Sequence, residues 1–171
     1  MKSLLVILTA IASTLLVPAA AIGKDVPPPD KFLGEAIQDG RAEVQTCNLA
    51  LQKSGNPDVK SFAQRMIKDH TAINNRVEAL AKSKHIALPE GISVKQKATY
   101  ELLSKSSGTR FDEAFMDHNV SDHETDVNNF TEQANGATDP DVKAFAAETL
   151  KTLKEHLQLA RDVRAKVKKS P

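Results

Sequence analysis

Two nearly identical segments, 83 residues apart, constrain the fold of this chain most strongly. They read NPDVKSFA from Asn56 and DPDVKAFA from Asp139. Each combines a helix-capping Asn or Asp with Pro at the first helical position, an acid in the first turn and an apolar stripe at helical spacing. Each also follows a helical segment that ends near a glycine, Gly55 or Gly136. The chain is therefore predicted to contain the same type of helical hairpin twice.

The spacing of apolar residues predicts four long helices and almost no strand-like alternation. We place these helices at residues 31–53, 57–82, 109–135 and 140–166. Asp30 is the expected cap of the first helix, and Thr109 with Asp112 forms a pair like a capping box at the third.

The segment between the two hairpins, residues 84–108, lacks a long helical period. A turn at Leu88–Gly91 precedes a stretch, Val94–Leu103, that can form one short helix. A connection of this length can run along a bundle and reverse the usual up-down order of its helices. We therefore predict an all-α four-helix bundle of two helical hairpins, joined by a long connection that contains a short helix.

The N-terminal residues have the layout of a secretory signal peptide. Lys2 precedes an apolar run from Leu4 to Val17, and small residues follow where a signal peptidase would cut, near Ala21–Gly23. The apolar run is too short to cross a membrane comfortably, so we expect a periplasmic or secreted protein without an integral membrane span after cleavage. An uncleaved N-terminal anchor is the alternative. The predicted organisation is a signal peptide (1–23), a Pro-rich spacer (24–29), the bundle (30–166) and a basic tail (167–171).

The charge balance argues against a polyanionic partner. The chain has 23 Lys and Arg residues against 22 Asp and Glu residues, so no electrostatic case exists for nucleic acid. Cys47 is the single cysteine, which excludes an internal disulfide. It is expected to be a small buried apolar residue, and an exposed Cys47 would instead permit an intermolecular disulfide. The sequence leaves homo-oligomerisation open and identifies no protein partner.

Each long helix carries one residue of a metal-binding type inside its apolar stripe. These residues are Glu43, His70, His123 and His156. Counting from the hairpin turns at about 1.5 Å per residue places all four near the middle of the bundle. Burying a carboxylate and three imidazoles is costly unless they bind something, and one divalent cation would satisfy all four. Because such side chains are ordinary ligands of zinc or iron, we predict a single transition-metal ion, zinc or iron, at this point.

A metal-free interpretation also fits these four residues. In it, they form a buried Glu–His hydrogen-bond network that only fixes the helix register, and the protein is a structural or interaction module of the cell envelope. A third interpretation is an enzyme that uses the metal for redox or hydrolytic chemistry, which requires an open coordination position.

Other polar residues are weaker candidates. Asp126 and Asp39 each lie one turn from a predicted ligand, and we expect them to be further ligands or hydrogen-bond acceptors for the imidazoles. Asp69 and Glu155 directly precede histidines, so they point to a different side of the helix and are expected at the surface or as similar acceptors. Two further histidines are expected to be exposed to solvent: His85 and His118.

Several short blocks together resemble one protein family. The blocks are Gly40–Val44 (GRAEV), Val59–Ala63 (VKSFA) with Asp69-His70, Phe111-Asp112 followed by His123, and Phe145-Ala146 followed by Leu153–His156 (LKEH). This order, over about residues 30–163, resembles the DUF4142 family of exported bacterial proteins, which are often labelled only as membrane or outer-membrane proteins. The resemblance implies a ferritin-like bundle with a long crossover between the second and third long helices. It implies no activity.

The chain departs from the pattern that gives ferritin-like oxidases their chemistry. Those proteins use a Glu on each of two helices and Glu-x-x-His on the other two, so that carboxylates bridge two irons. Here Ile67 lies three residues before His70, and Leu153 lies three residues before His156. A bridged di-iron centre therefore lacks ligands, and a mononuclear site fits better. No phosphate-binding loop, Cys-x-x-Cys pair or serine nucleophile motif is present.

Overall fold

Five helices make up most of the part of the chain that the structure describes. The computed structural model describes residues 26–169, so the predicted signal peptide lies outside the described residues. The helices are α1 (Pro29–Lys53), α2 (Pro57–Ser83), α3 (Val94–Ser104), α4 (Gly108–Gly136) and α5 (Pro140–Val167). No strand occurs among the described residues. The predicted all-α architecture, with four long helices and a short one in the connection, is confirmed.

The two hairpins, α1–α2 and α4–α5, pack side by side with α3 as the crossover. The Gln133 amide at the end of α4 donates to the Pro27 carbonyl before α1, so α4 runs antiparallel to α1. Lys84, after α2, forms an ion pair with Asp139 before α5, and these helices are likewise antiparallel. α3 starts level with the first half of α1 and leads to Ser106, whose carbonyl accepts from Lys53 at the α1 end. The connection therefore runs the length of the bundle, as predicted.

The duplicated segments are the starts of α2 and α5, and each is capped in the same way. Asn56 Oδ1 accepts from the backbone N–H groups of Asp58 and Val59 at 2.9 and 3.4 Å. Asp139 Oδ1 accepts from the equivalent two groups at 3.0 and 3.1 Å. In both helices Pro occupies the first position, where its missing N–H group costs nothing. The repeat therefore specifies two matched helix starts.

Two predicted caps were wrong. α1 begins at Pro29, so Asp30 lies within the first turn, and the N-cap residue Pro28 offers no side-chain acceptor. α4 begins at Gly108, where the backbone turns with a φ of 57°, and Ser107 precedes it without a capping hydrogen bond from its side chain. Both helices therefore begin before the residue that was predicted to cap them. The capping box occurs instead at Ser93 and Gln96 of α3.

The core has two apolar clusters with a polar layer between them. One cluster surrounds Phe62 and Phe115, and the other surrounds Phe32 and Phe145. Between them lie buried polar side chains, including Glu43, His70, His123, Asp126 and His156. Cys47 is buried in the Phe62 cluster, as expected for a small apolar residue. Within residues 26–169, no helix is apolar and long enough to cross a membrane.

The matched caps should contribute equally to stability. Asn56→Ala and Asp139→Ala each remove the acceptor for two N–H groups and should lower the free energy of unfolding by about 1 kcal/mol. The caps lie at opposite ends of the bundle, so the double variant should lose about 2 kcal/mol in urea denaturation. Asp139→Asn keeps the cap and removes only the ion pair with Lys84. Ser107→Ala is the control, because its side chain caps nothing. An equal loss in that control would contradict the assignment.

Candidate metal centre

Three histidines from three helices meet in the middle of the bundle. His70 lies on α2, His123 on α4 and His156 on α5. The distances between their ring centroids are 5.6 Å (His70–His123), 5.3 Å (His70–His156) and 5.5 Å (His123–His156). One ring nitrogen of each lies within 4.8 Å of one from each of the others. Since nitrogens that share a tetrahedral zinc ion are about 3.4 Å apart, an inward shift of no more than about 1 Å per ring would complete a ligand set.

The ring of His123 is held in one tautomer. Its Nδ1 lies 2.9 Å from the Asn119 carbonyl oxygen, one turn earlier in α4. A carbonyl only accepts, so Nδ1 carries the proton and donates it, and Nε2 keeps its lone pair. Nε2 is buried and has no hydrogen-bond partner within residues 26–169. This is the state in which a neutral imidazole binds a metal.

His156 is fixed by a carboxylate instead. Its Nε2 lies 3.0 Å from Oδ2 of Asp69, which is the chain neighbour of His70 on the adjacent helix. The same carboxylate also accepts from Arg65, which in turn pairs with Glu155 at 3.4 Å. Burial raises the pKa of Asp69, but the hydrogen bonds from Arg65 and His156 outweigh it and lower the pKa, so Asp69 stays ionised. Asp69 therefore has the acceptor role that was one of the two predictions for it.

The hydrogen bond to Asp69 uses only one nitrogen of the His156 ring and leaves the other nitrogen available. With the proton on Nε2, the lone pair of His156 lies on Nδ1, which is buried and unpartnered in the described part of the chain. Nε2 of His70 is unpartnered in the same way. The three rings thus offer three buried nitrogens without protein hydrogen bonds, in a region where an unsatisfied polar atom is costly.

Burial also keeps the three imidazoles neutral. Burial is the largest cause that lowers the pKa of His70 well below its ordinary value. Repulsion from His123 and His156 when they are protonated lowers it further. Burial lowers the pKa of His123 to about 4 and also lowers that of His156, against the hydrogen bond to Asp69. Because a metal competes with protons for these nitrogens, lowered pKa values favour metal binding at neutral pH.

Glu43 lies in a different group from the three histidines. Its ligand atom is within 4.8 Å of those of His118 and Asp122, and no group within residues 26–169 unites Glu43 with two of the central rings. Asp122 directly precedes His123 in α4, so this group lies near the height of the histidines along the bundle. Glu43 Oε1 accepts from the Cys47 thiol at 3.3 Å. A role for Glu43 at the central ion stays a prediction.

The two weaker candidates, Asp39 and Asp126, both interact electrostatically with Glu43. Asp39 accepts a hydrogen bond from Gln96 of α3. Burial, followed by the charge of Asp122, raises the pKa of Asp39 to about 7 and that of Glu43 to about 8. Burial also raises the pKa of Asp126 well above its usual range, with Asp122, Asp39 and Glu43 contributing. These acids form one electrostatic cluster.

Two members of this cluster, His118 and Asp122, were missed in the sequence. His85 is exposed as expected, but His118 is half-buried, because α3 covers part of its side of α4. The sequence did contain a signal. His118 and Asp122 lie four residues apart on one helix face, as Asp39 and Glu43 do on α1.

The raised pKa of Glu43 should lower the free energy of unfolding of the metal-free protein as the pH rises. The raised pKa means that folded Glu43 holds its proton up to about pH 8, whereas an unfolded Glu releases it near pH 4.3. The resulting penalty on folding therefore grows as the pH rises between these values. Glu43→Gln removes it, so with EDTA present the variant should gain more than about 1 kcal/mol over wild type between pH 4.5 and 8. Urea denaturation at several pH values measures this.

Glu124→Gln changes an exposed acid on α4 and is the control, so it should show no such gain. A gain for Glu43→Gln that is equal at all pH values would contradict the pKa shift.

Solved structures of similar fold are all distant in sequence. The DUF305 fragment from Deinococcus radiodurans has a TM-score of 0.72 and 16% identity, with 82% of this chain and 99% of that chain covered. "CopM in the Cu(II)-bound form" has a TM-score of 0.70 and 13% identity, with 83% and 99% covered. A conserved hypothetical protein, rv2844, from Mycobacterium tuberculosis has a TM-score of 0.61 and 14% identity, with 84% and 93% covered. At these identities the likeness establishes the helical-bundle fold alone, consistent with the ferritin-like architecture.

The sequence comparisons agree with the resemblance noted in the sequence blocks. No curated protein matches this chain significantly. The family described as "Domain of unknown function (DUF4142)" matches residues 17–163, which include α1, α2 and α4 and most of α5. This chain therefore belongs to the DUF4142 family.

Proposed function

We propose that this protein binds one transition-metal ion at the centre of the bundle, through His70, His123 and His156. The observation that carries the proposal is that one ring nitrogen of each histidine lies within 4.8 Å of one from each of the others. In addition, hydrogen bonds hold His123 and His156 as neutral rings with a lone pair on the other nitrogen. Neutral imidazoles in that arrangement can serve as metal ligands, and the hydrogen bonds of His123 and His156 orient those two rings.

The donor set favours zinc or copper over iron. Three imidazoles suffice for zinc, which keeps a fourth position for water, and imidazole also suits copper. Mononuclear iron(II) sites commonly combine two histidines with a carboxylate. Glu43, the predicted carboxylate ligand, lies with His118 and Asp122. Iron, one of the two predicted metals, is therefore less favoured at the three histidines.

A structural relative supports including copper among the metals tested. CopM, 13% identical to this chain, was solved in a Cu(II)-bound form. Because Cu(II) binds nitrogen sites more tightly than the other divalent first-row metals, a three-histidine group should take it readily. The proposal also includes a periplasmic or secreted location, which rests on the signal-like residues 1–23.

The metal-free alternative has less support in the predicted form. It required hydrogen bonds between the carboxylate and the imidazoles, but within residues 26–169 Glu43 bonds to Cys47 and its Oε2 has no partner. For an enzyme, three ligands would leave a coordination position open. The three histidines are at most 4% exposed, which favours holding the metal over turnover of a large substrate.

Metal binding can be tested by comparing histidine variants. After exposure to Zn²⁺ or Cu²⁺ and dialysis, the wild-type protein should retain one equivalent more than His123→Gln or His70→Gln by elemental analysis. Free metal at 100 times the Kd should stabilise the wild type by about 2.7 kcal/mol, and the variants should lose that gain. His85→Gln, an exposed histidine, is the matched control. Equal retention in wild type and His123→Gln would refute the site.

The carboxylate behind His156 should tune the same site. Asp69→Asn preserves size but removes the charge that holds the Nε2 proton, so metal affinity should fall about 10- to 100-fold. Glu155→Gln is the control, because Glu155 pairs with the same Arg65 without contacting the ring. Competition with a chelator of known affinity measures both. A similar loss in the two variants would show that Arg65 pairing, and not the hydrogen bond to His156, matters.

A further inference from the structure

A second group of potential ligands lies beside the histidine triangle, on another side of α4. It consists of Glu43 from α1 with His118 and Asp122 from α4, and each offers a ligand atom within 4.8 Å of the other two. His118 and Asp122 are one helical turn apart, so their side chains project in the same direction. The group lines a cleft of about 150 Å³ between α1, α3 and α4, whose far wall includes Ser93 and Thr99.

One oxygen in this cleft is left unsatisfied by the protein. Glu43 is only 2% exposed and lines the cleft. Its Oε1 accepts from the Cys47 thiol, whereas its Oε2 is buried without any partner in the described chain. A buried carboxylate oxygen without a hydrogen bond is costly. A cation bound in the cleft would satisfy it.

The three acids that line the cleft, together with Asp126, form two matched pairs. The 83-residue offset of the repeat relates Asp39 to Asp122 and Glu43 to Asp126. Two carboxylates one turn apart on α1 therefore face two carboxylates one turn apart on α4. Burial and mutual repulsion disfavour four ionised acids there, and a divalent cation removes much of that repulsion.

Lys95 on α3 places a positive charge near these acids. Burial raises the pKa of Asp39 and of Asp122, and the charge of the exposed Lys95 partly opposes that rise. Within residues 26–169 it forms no ion pair with either of them. Lys95 therefore leaves the ligand atoms of Glu43, His118 and Asp122 available.

We propose that Glu43, His118 and Asp122 form a second cation site, separate from the three histidines, which binds a divalent cation of the Mn²⁺ or Fe²⁺ type. Two carboxylates and one imidazole are a mixed oxygen and nitrogen set, which suits these harder cations better than three imidazoles do. A water occupies about 30 Å³ in the liquid, so the cleft has room for waters that complete the coordination. The proposal stands on different residues from the central site and does not depend on it.

Mn²⁺ is the probe that separates the two sites. The EDTA-treated and dialysed protein is titrated with Mn²⁺, and free Mn²⁺ is read from its solution EPR signal. Wild type should bind one equivalent saturably. Glu43→Gln, Asp122→Asn and His118→Gln should each weaken binding at least about 10-fold, because each removes one ligand. His156→Gln and the exposed Glu124→Gln should bind Mn²⁺ as wild type does.

Three results would overturn the proposal. They are no saturable Mn²⁺ uptake by wild type, unchanged uptake in both Glu43→Gln and Asp122→Asn, and loss of uptake in His156→Gln. Thermal unfolding without metal checks that the variants fold, which is expected because neutral isosteres relieve repulsion. If either acid variant fails to fold, the half-buried His118→Gln decides the outcome.

Lys95→Gln should tighten Mn²⁺ binding, because it removes a positive charge from the lining of the cleft. Weaker Mn²⁺ binding in this variant would contradict the site.

Discussion

The burial of three imidazoles between two apolar clusters is the constraint on which the rest of this structure depends. The Phe62 and Phe32 clusters flank the middle of the bundle and bury the three rings, which favours the neutral form of each ring. His123 uses a carbonyl of its own helix, and His156 uses Asp69 from the neighbouring helix. These hydrogen bonds fix the tautomers and leave one lone pair on each ring. The same dehydration that makes the layer costly without a ligand also prepares it to bind a metal.

The duplicated hairpin explains part of this arrangement but not all of it. The 83-residue offset preserves the helix starts and the paired acids of α1 and α4. It does not preserve the histidines, because His70 corresponds to Leu153 and His156 corresponds to Ile73. The acidic cluster therefore follows the internal symmetry of the bundle, whereas the histidine triangle breaks it. Helix α4 contributes to both the acidic cluster and the histidine triangle, since its consecutive residues Asp122 and His123 lie in different groups of ligands.

The two groups of ligands would present different chemistry within one bundle. The central group offers only imidazole nitrogens and is almost fully buried. The group in the cleft adds two carboxylates and lies beside a space of about 150 Å³. By the preferences of the metals, the first suits copper or zinc and the second suits a harder divalent ion with its waters. The bridged di-iron pattern of ferritin-like oxidases fits neither group.

The sequence by itself determined the helices, the inward faces of the long ones, the matched caps at Asn56 and Asp139, and the three histidines of the polar layer. These follow from periodicity and capping chemistry, which are local properties of the chain. The tertiary structure alone decided that Glu43 from α1 meets His118 and Asp122 from α4. Counting residues gives a height along a helix, but the rotation of a helix about its axis is set by packing. The close approach of Gly40 to Asn74, where a Cβ at position 40 would lie 2.0 Å from Asn74 Oδ1, is one such contact.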